Sequence, residues 1–375
     1  MNTLPSTDRL YRALVERDSA FEGVFLVGVK TTGIFCRAGC TAKRPRRENC
    51  EFFATPQEAL HAGYRACRRC RPLDGGRQPP ASVQKLLNLV DEDPGRRIVA
   101  DDLRQLGIEP STARRQFLRH CGMTFHAYQR ARRMGRALQD FRRHRDLPRA
   151  MDEAGYESFS GFGAAFAGLF GKPPSSAKQV NCLLADWIMT PLGGMVAIAS
   201  DEGLCLLELQ DRRALKREIA WLQHRFAATV VPGKNAALRR IAVELEEYFA
   251  GRRTRFETPL VLAGSELQMR VWQELLKIAP GQTRSYSELA AALGRPGAQR
   301  AVGRANGDNR LALVVPCHRV IRSDGAPCGY GGGLWRKRRL LEHEARMVGA
   351  PEGVRAPQSA EERDIQSATR RRASG

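Results

Sequence analysis

Two cysteine pairs restrict what this chain can fold into more than any other feature of it. Cys36-Arg-Ala-Gly-Cys40 and Cys67-Arg-Arg-Cys70 each place two sulfurs on one tight turn, with 26 residues between the pairs. Two such turns complete a tetrahedral site for one Zn2+, held by Cys36, Cys40, Cys67 and Cys70, and organise a small domain around the metal. Cys50 lies between the pairs without a partner and reads as a filler. Lys43, Arg44, Arg46 and Arg47 follow the first pair, and Arg65, Arg68, Arg69 and Arg71 bracket the second. A four-thiolate zinc site is formally dianionic. These cations therefore either prepare it to approach a nucleic-acid backbone or merely screen the thiolates.

The charge balance bears on that choice. Lys and Arg number 61 against 40 Asp and Glu, a net charge of +21 over 375 residues. Such an excess favours a polyanionic partner, because each neutralised phosphate releases condensed counterions; the alternative is a solvated basic surface. The opening MNTLPSTDRLYRALVERD has no apolar core of a signal peptide, and no run approaches the roughly 18 apolar residues of a membrane span. A soluble, cytoplasmic protein with no membrane partner is expected. Its ten cysteines then point to metal binding or catalysis rather than disulfides.

Composition breaks at GGRQPPAS (75–82), at KPPSSAKQVN (172–181) and after Arg346 predict a multidomain α+β chain. The expected divisions are a zinc-binding domain over 1–78, an all-helical domain over 79–180, an α/β scaffold lobe over 181–263, a mostly helical domain over 264–347 and a disordered tail over 348–375.

In the second segment, VQKLLNLVDED carries a helical apolar stripe that Pro94-Gly95 ends. A helix, a turn near Gly107 and a second helix follow, with Ser111 as the expected N-cap of the second. Arg114, Arg115 and Arg119 recur on that helix at a spacing suited to a groove or to phosphates. After a long basic helix, LPRAMDEAGYESFSGFGAAFAGLFGKPP repeats the pattern, although its second helix has no basic residue.

In the scaffold lobe, GMVAIAS and GLCLLEL read as apolar strand runs, between helix patterns at 212–226 and 237–249. Further on, ELAAALG and AQRAVGRA form another helix–turn–helix-like pair. Then comes Leu313-Val-Val-Pro-Cys-His-Arg-Val-Ile321. Only a few per cent of a free thiol is thiolate at neutral pH, so a nucleophilic Cys317 needs a base, and a carboxylate can fix that base's tautomer. His318 is the candidate base. Adjacent side chains on a strand point apart, so its contact with Cys317 would run through a turn or a water. Glu344 is the candidate carboxylate, and spacing alone leaves Glu342 as its rival.

GIFCRAGCTAKRP followed by AGYRACRRCRP resembles the N-terminal domain of the Ada family of bacterial alkylation-damage regulators. The resemblance implies that Cys36 is both zinc ligand and acceptor of a methyl group from DNA methylphosphotriesters. It also implies that Thr32, Thr41, Lys43 and Arg65 contact DNA, Thr41 standing where an arginine is often found. The second segment, with Gly122-Met123-Thr124-Phe125 and Phe170-Gly171-Lys172-Pro173, resembles an AraC-type double helix-turn-helix domain. GQTRSYSELA, RAVGRANGDN, PCHRVI and GYGGGLWRKRRLLEHE resemble the O6-alkylguanine-DNA alkyltransferases, over about 185–346.

That last likeness implies a ribonuclease-H-like lobe beside a winged-helix-like domain. In it Cys317 is the methyl acceptor for O6-methylguanine and O4-methylthymine, His318 the base, Glu344 its orienter and Asn309 a support of the active-site turn. Arg300 would fill the gap left by the flipped base, and Tyr286 would push the 3′ phosphate. Gly331 stands where some relatives carry serine, and Cys328 reads as structural. Together these likenesses imply a single-turnover methyltransferase that is also a transcriptional activator, with double-stranded DNA and RNA polymerase as partners, in the bacterial cytoplasm at the nucleoid. A decayed repair domain on a pure regulator, or a thiol redox sensor, are the competing readings.

Overall fold

The computed structural model describes residues 4–16, 21, 24–54, 56–70, 72, 80–144 and 146–349. Arg71, residues 75–79 of the first linker and the expected tail from 350 onward lie outside the described residues, as does the side chain of Arg119.

The N-terminal unit is α1 (Thr7–Glu16), β1 (Leu26–Val29), β2 (Ile34–Arg37), β3 (Cys50–Phe53), α2 (Pro56–His61) and β4 (Arg65–Ala66). Its sheet runs β3-β1-β2-β4, antiparallel except for the β2–β4 pair. Gly28 on β1 is required by packing, since a Cβ there would come within 2.8 Å of the Phe53 ring and 2.9 Å of the Tyr64 ring. Two small cores cover the two faces of this sheet, one around Leu10, Leu14, Phe25 and Val27, the other around Phe35, Phe53 and Tyr64.

The helical unit comprises α3 (Ala81–Glu92), α4 (Ala100–Gln105), α5 (Pro110–Cys121), α6 (Phe125–His144), α7 (Leu147–Glu153) and α8 (Phe159–Phe170). Gly107, at φ +73°, makes the turn between α4 and α5. Ser111 is not the N-cap: the cap lies two residues earlier, at Glu109, which makes no side-chain cap bond, and α5 begins at Pro110. Proline, with φ already near the helical value and no N–H to satisfy, takes the first helical position. Ser158, by contrast, caps α8 by accepting from the Gly161 N–H.

In the third unit, β5 (Asn181–Thr190), β6 (Gly193–Ala199), β7 (Leu204–Leu209), α9 (Leu215–Arg225), β8 (Ala228–Pro232) and α10 (Ala236–Phe249) form a sheet of order β7-β6-β5-β8. The β5–β8 pair is parallel and the others antiparallel. The sequence reading marked β6 and β7, which are buried along their whole length. It did not mark β5, which carries Asp186 in its middle, or the short β8.

The last unit holds α11 (Glu266–Leu276), β9 (Arg284–Ser285), α12 (Tyr286–Ala292), α13 (Gln299–Gly307), β10 (Val320–Ile321) and α14 (Leu334–Met347), with β9 and β10 paired in parallel. One continuous core joins α6–α8, the inner face of the β5–β8 sheet, and this unit, from Met134 and Phe166 through Met195 and Leu238 to Trp272, Val315 and Leu340.

Candidate functional site

The metal-ligand cysteines are brought together by strand pairing. Cys36 lies on β2 opposite Val27 of β1, and the Cys40 N–H closes a turn onto the Arg37 carbonyl at 3.1 Å. Past β4, the Cys67 N–H donates to the Phe35 carbonyl at 3.0 Å, so the second pair docks on the first. The four sulfurs all lie within 4.8 Å of one another. A tetrahedral zinc with Zn–S near 2.3 Å needs sulfurs roughly 3.8 Å apart, so small side-chain adjustments close the set on one Zn2+.

Its electrostatics fit a cation. Cys70 is held down to about 5, chiefly by its hydrogen bond with Cys36, whose own thiol is pushed far up by that bond and by burial. The Arg37 N–H also donates to the Cys70 sulfur, at 3.4 Å. Four thiols this close cannot each keep an ordinary proton, and a divalent ion relieves the crowding by taking all four as thiolates. Cys50 stands outside the set and donates to the Arg46 carbonyl instead.

Thr32, Thr41, Lys43 and Arg65 are all exposed. The Arg65 N–H donates to the Gly33 carbonyl at 2.7 Å, setting it beside the Thr32 turn, and Arg69 reaches the Thr41 carbonyl at 3.4 Å. Arg114 and Arg115 are exposed on α5. These residues form basic surfaces on two separate units.

Cys317 sits in a different setting. Cys317–Arg319 form a 3-10 turn, with the Cys317 N–H bonded to the Val315 carbonyl at 2.8 Å. Proline before the cysteine and the strained residue upstream force this bend: Leu313 adopts φ +69°, a left-handed conformation that costs on the order of 1 kcal/mol. Asn309 holds the bend from below. Its Nδ2 donates to the Val315 carbonyl at 2.8 Å, and its Oδ1 accepts from the Leu311 N–H at 2.9 Å. Burial pushes the Cys317 thiol up, while Asn309, Lys337 and Arg212 pull in the opposite direction.

His318 and Glu344 are fully buried, and Nε2 of His318 lies 2.9 Å from Oε1 of Glu344. Glu342 is exposed, which resolves the rivalry left by spacing. Burial lowers the His318 pKa, and that outweighs the pull of Glu344, so the imidazole is neutral. Burial also opposes the Glu344 charge, yet His318 and Arg319 hold this carboxylate well below the usual range. An ionised Glu344 accepts a hydrogen bond from Nε2–H and so leaves the lone pair on Nδ1, which is buried with no partner among the described residues. That is the geometry of a general base.

The same carboxylate accepts from Arg319 Nε at 2.8 Å and Nη2 at 2.7 Å, and from the Tyr248 hydroxyl at 2.8 Å. The sequence reading assigned no role to either donor. Arg319 could have been flagged by its place in the motif; Tyr248, 96 residues from Glu344, carried no local signal. Buried Lys337 was missed as well, and its Nζ donates to the carbonyls of Val320 and Cys328.

Arg300 is exposed on the first turn of α13, and Tyr286 begins α12, half-buried against Gly303. Burial pushes the Tyr286 phenol up, reinforced by Cys328 nearby. Cys317, His318, Glu344 and Asn309 are thus gathered into one buried site, with Arg300 and Tyr286 on the helix pair beside it. The four-cysteine centre is a second site, on another unit.

Four family models match the chain: the metal binding domain of Ada over 9–73, a helix-turn-helix domain over 103–179, the ribonuclease-like domain of 6-O-methylguanine DNA methyltransferase over 183–262, and the DNA binding domain of that methyltransferase over 266–346. The bifunctional transcriptional activator/DNA repair enzyme Ada of Escherichia coli K12 is 32% identical over 353 residues, 92% of this chain and 98% of that protein. The methylated-DNA–protein-cysteine methyltransferase of Mycobacterium leprae is 43% identical over 170 residues, 45% of this chain and 95% of that protein. Among solved structures, Mycobacterium tuberculosis OGT in complex with DNA is 40% identical, covers 44% of this chain and 94% of that one, and superposes with a TM-score of 0.38.

Proposed function

The chain belongs to the Ada family, and from that premise we propose that it repairs methylated DNA by irreversible transfer to two of its own cysteines and activates transcription in response. The observation that carries this reading is the buried Glu344–His318 pair, whose free Nδ1 shares a turn with Cys317. In the proposed step, the Cys317 sulfur attacks the methyl carbon of a flipped O6-methylguanine. A C–S bond forms, the C–O bond breaks, and its electron pair passes to guanine O6. His318 takes the thiol proton through a water, and that proton is returned through solvent to N1 of the guanine anion, so the sum is thiol plus methylguanine giving thioether plus guanine. O4-methylthymine would react in the same way. Asn309 holds the reactive turn, Arg300 fills the vacated stack and Tyr286 presses on the 3′ phosphate.

At the other centre, Cys36 takes a methyl group from a phosphotriester. Zinc, when bound, keeps its sulfur a thiolate at neutral pH. Thr32, Thr41, Lys43 and Arg65 hold the DNA backbone there, and Arg114 and Arg115 of α5 meet promoter DNA. Recruitment of RNA polymerase and residence in the bacterial cytoplasm, on the nucleoid, complete the proposal. Among the described residues, no helix is long and apolar enough to cross a membrane.

Mass spectrometry after incubation with DNA bearing both lesions tests the reading. Two single-methyl additions, mapped to Cys36 and Cys317, are expected. No addition would instead mean a regulator without repair, and oxidised sulfur would mean a redox sensor. Repair of more methylated bases than there are protein molecules would overturn the single-turnover step.

A further inference from the structure

We infer that Arg212, on the ribonuclease-like lobe, is a positioning and specificity residue for alkyl transfer: it clamps the Asn309 turn beneath Cys317 and fills the space beside Gly331. The inference rests on the proposed role of Cys317. Arg212 follows β7, and its side chain is about nine-tenths buried. One guanidinium nitrogen, Nη1, donates to the Asn309 carbonyl at 3.1 Å; the other, Nη2, donates to the Gly307 carbonyl at 2.8 Å. Both carbonyls belong to the end of α13 and the turn after it. The same turn carries the Asn309 amide that holds Val315, two residues before Cys317.

Two buried acids hold Arg212 in place. Glu208 of β7 pairs with Nη1, and Glu218 of α9 lies 3.2 Å from Nη2. The neighbouring backbone runs in step: the Leu207 N–H donates to the Arg310 carbonyl and the Ala312 N–H to the Leu207 carbonyl, each at 2.8 Å. Arg310 itself lies 3.8 Å from the centre of the Trp221 ring of α9. The lobe therefore supports the reactive turn through a rigid ionic strut as well as through packing. A forked guanidinium suits this job, because it can satisfy two carbonyls and two carboxylates in one plane.

Specificity follows from where the strut ends. A Cβ built at Gly331 would lie 2.8 Å from Arg212 Nε and 2.9 Å from Cζ, so the guanidinium stands where a side chain at 331 would otherwise project. Tyr330, next in the chain, is partly buried in the same cluster of groups as Cys317, Glu208 and Arg212. The wall facing the incoming alkyl group is thus set by a residue of the scaffold lobe rather than by the loop itself.

The test compares transfer from O6-methylguanine and O6-benzylguanine in single-turnover assays. Arg212→Ala is expected to slow methyl transfer by about tenfold to a hundredfold through misplacement of the turn, while raising the benzyl-to-methyl rate ratio. Arg212→Lys keeps the charge but not the fork, and restores the ratio without restoring the full rate. Gly331→Ala should impair the wild type yet be tolerated in the Arg212→Ala background. If Arg212→Ala fails to fold, Arg212→Met combined with Glu208→Gln and Glu218→Gln removes the buried charges together and carries the same comparison. An unchanged ratio, with Gly331→Ala equally harmful in both backgrounds, overturns the inference. If the wild type itself accepts no methyl group, it is the reading of Cys317 that fails.

Discussion

Nε2 of His318 and Oε1 of Glu344 lie 2.9 Å apart, both side chains being fully buried. The carboxylate there serves more than the imidazole, because Arg319 grips it through two nitrogens and the Tyr248 hydroxyl donates to it as well. Arg319 keeps Glu344 ionised, and Glu344 in turn keeps the His318 proton on Nε2. A residue assigned to orient a base is therefore also the counter-ion of a buried guanidinium.

Glu344→Gln separates these two duties. It should leave Arg319 as an uncompensated buried charge, at a cost of about 3–5 kcal/mol in denaturant unfolding, and slow methyl transfer by roughly a hundredfold or more. Adding Arg319→Met should recover most of the stability and none of the rate. Recovery of both would mean that the carboxylate has no part in the chemistry.

Lys337 supplies a pH dependence. Burial holds its pKa down from 10.5 to about 8, and its ammonium favours the Cys317 thiolate. Lys337→Met should therefore move the rise of the Cys317 alkylation rate to higher pH. The stability effect has a definite sign. A lysine depressed in the folded state binds fewer protons there than in the unfolded chain between about 8 and 10.5. Its contribution is fully present above the unfolded value and lost as pH falls through about 8. The stability of wild type relative to Lys337→Met should accordingly rise over that window, by on the order of 3 kcal/mol. A flat difference in urea midpoints would contradict this.

Arg300 tests the flipping step. Arg300→Ala should lower the repair rate in duplex DNA far more than on the free O6-methylguanine base, because flipping costs a few kcal/mol and a plug in the vacated space offsets part of it. Equal losses on the two substrates would place Arg300 in chemistry or folding instead.

The zinc centre predicts a charge switch. Methylation of Cys36 takes the site from a formal dianion to a monoanion, close to the exposed Lys43 and Arg65. Operator affinity should increase on methylation at low ionic strength, and the gain should shrink as salt rises. Coincident salt curves for the two forms would refute the switch. Cys36→Ser should lose phosphotriester repair and inducible activation while keeping O6-methylguanine repair.

What could be read along the chain followed how local each signal is. The four ligands are two turns of known spacing, and the sheet pairing then had to close only one gap between them. Helices α3, α9 and α10 announced themselves by patterns that lie within a few residues of sequence. Strand β5 did not, since Asp186 interrupts its apolar run, and that carboxylate finds its partners, the Trp187 N–H at 2.9 Å and Lys234 at 3.8 Å, only in the folded protein. The start of α5 was misplaced by two residues because a serine cap and a proline at the first turn are competing local signals, and the proline won.

By itself the sequence determined the chemistry available: which residues carry thiols, which can act as bases, and which short turns can gather sulfurs around a metal. Tertiary structure alone decided the partners. Spacing on α14 could not choose between Glu342 and Glu344, whereas the packing of that helix left the first exposed and buried the second against His318, Arg319 and Tyr248. Arg212 became a support of the Asn309 turn only when the chain brought together groups 97 residues apart. The physical reason is the same in each case. Helix and turn preferences act over a few residues, but the desolvation that makes a buried charge demand a partner exists only once the core has closed around it.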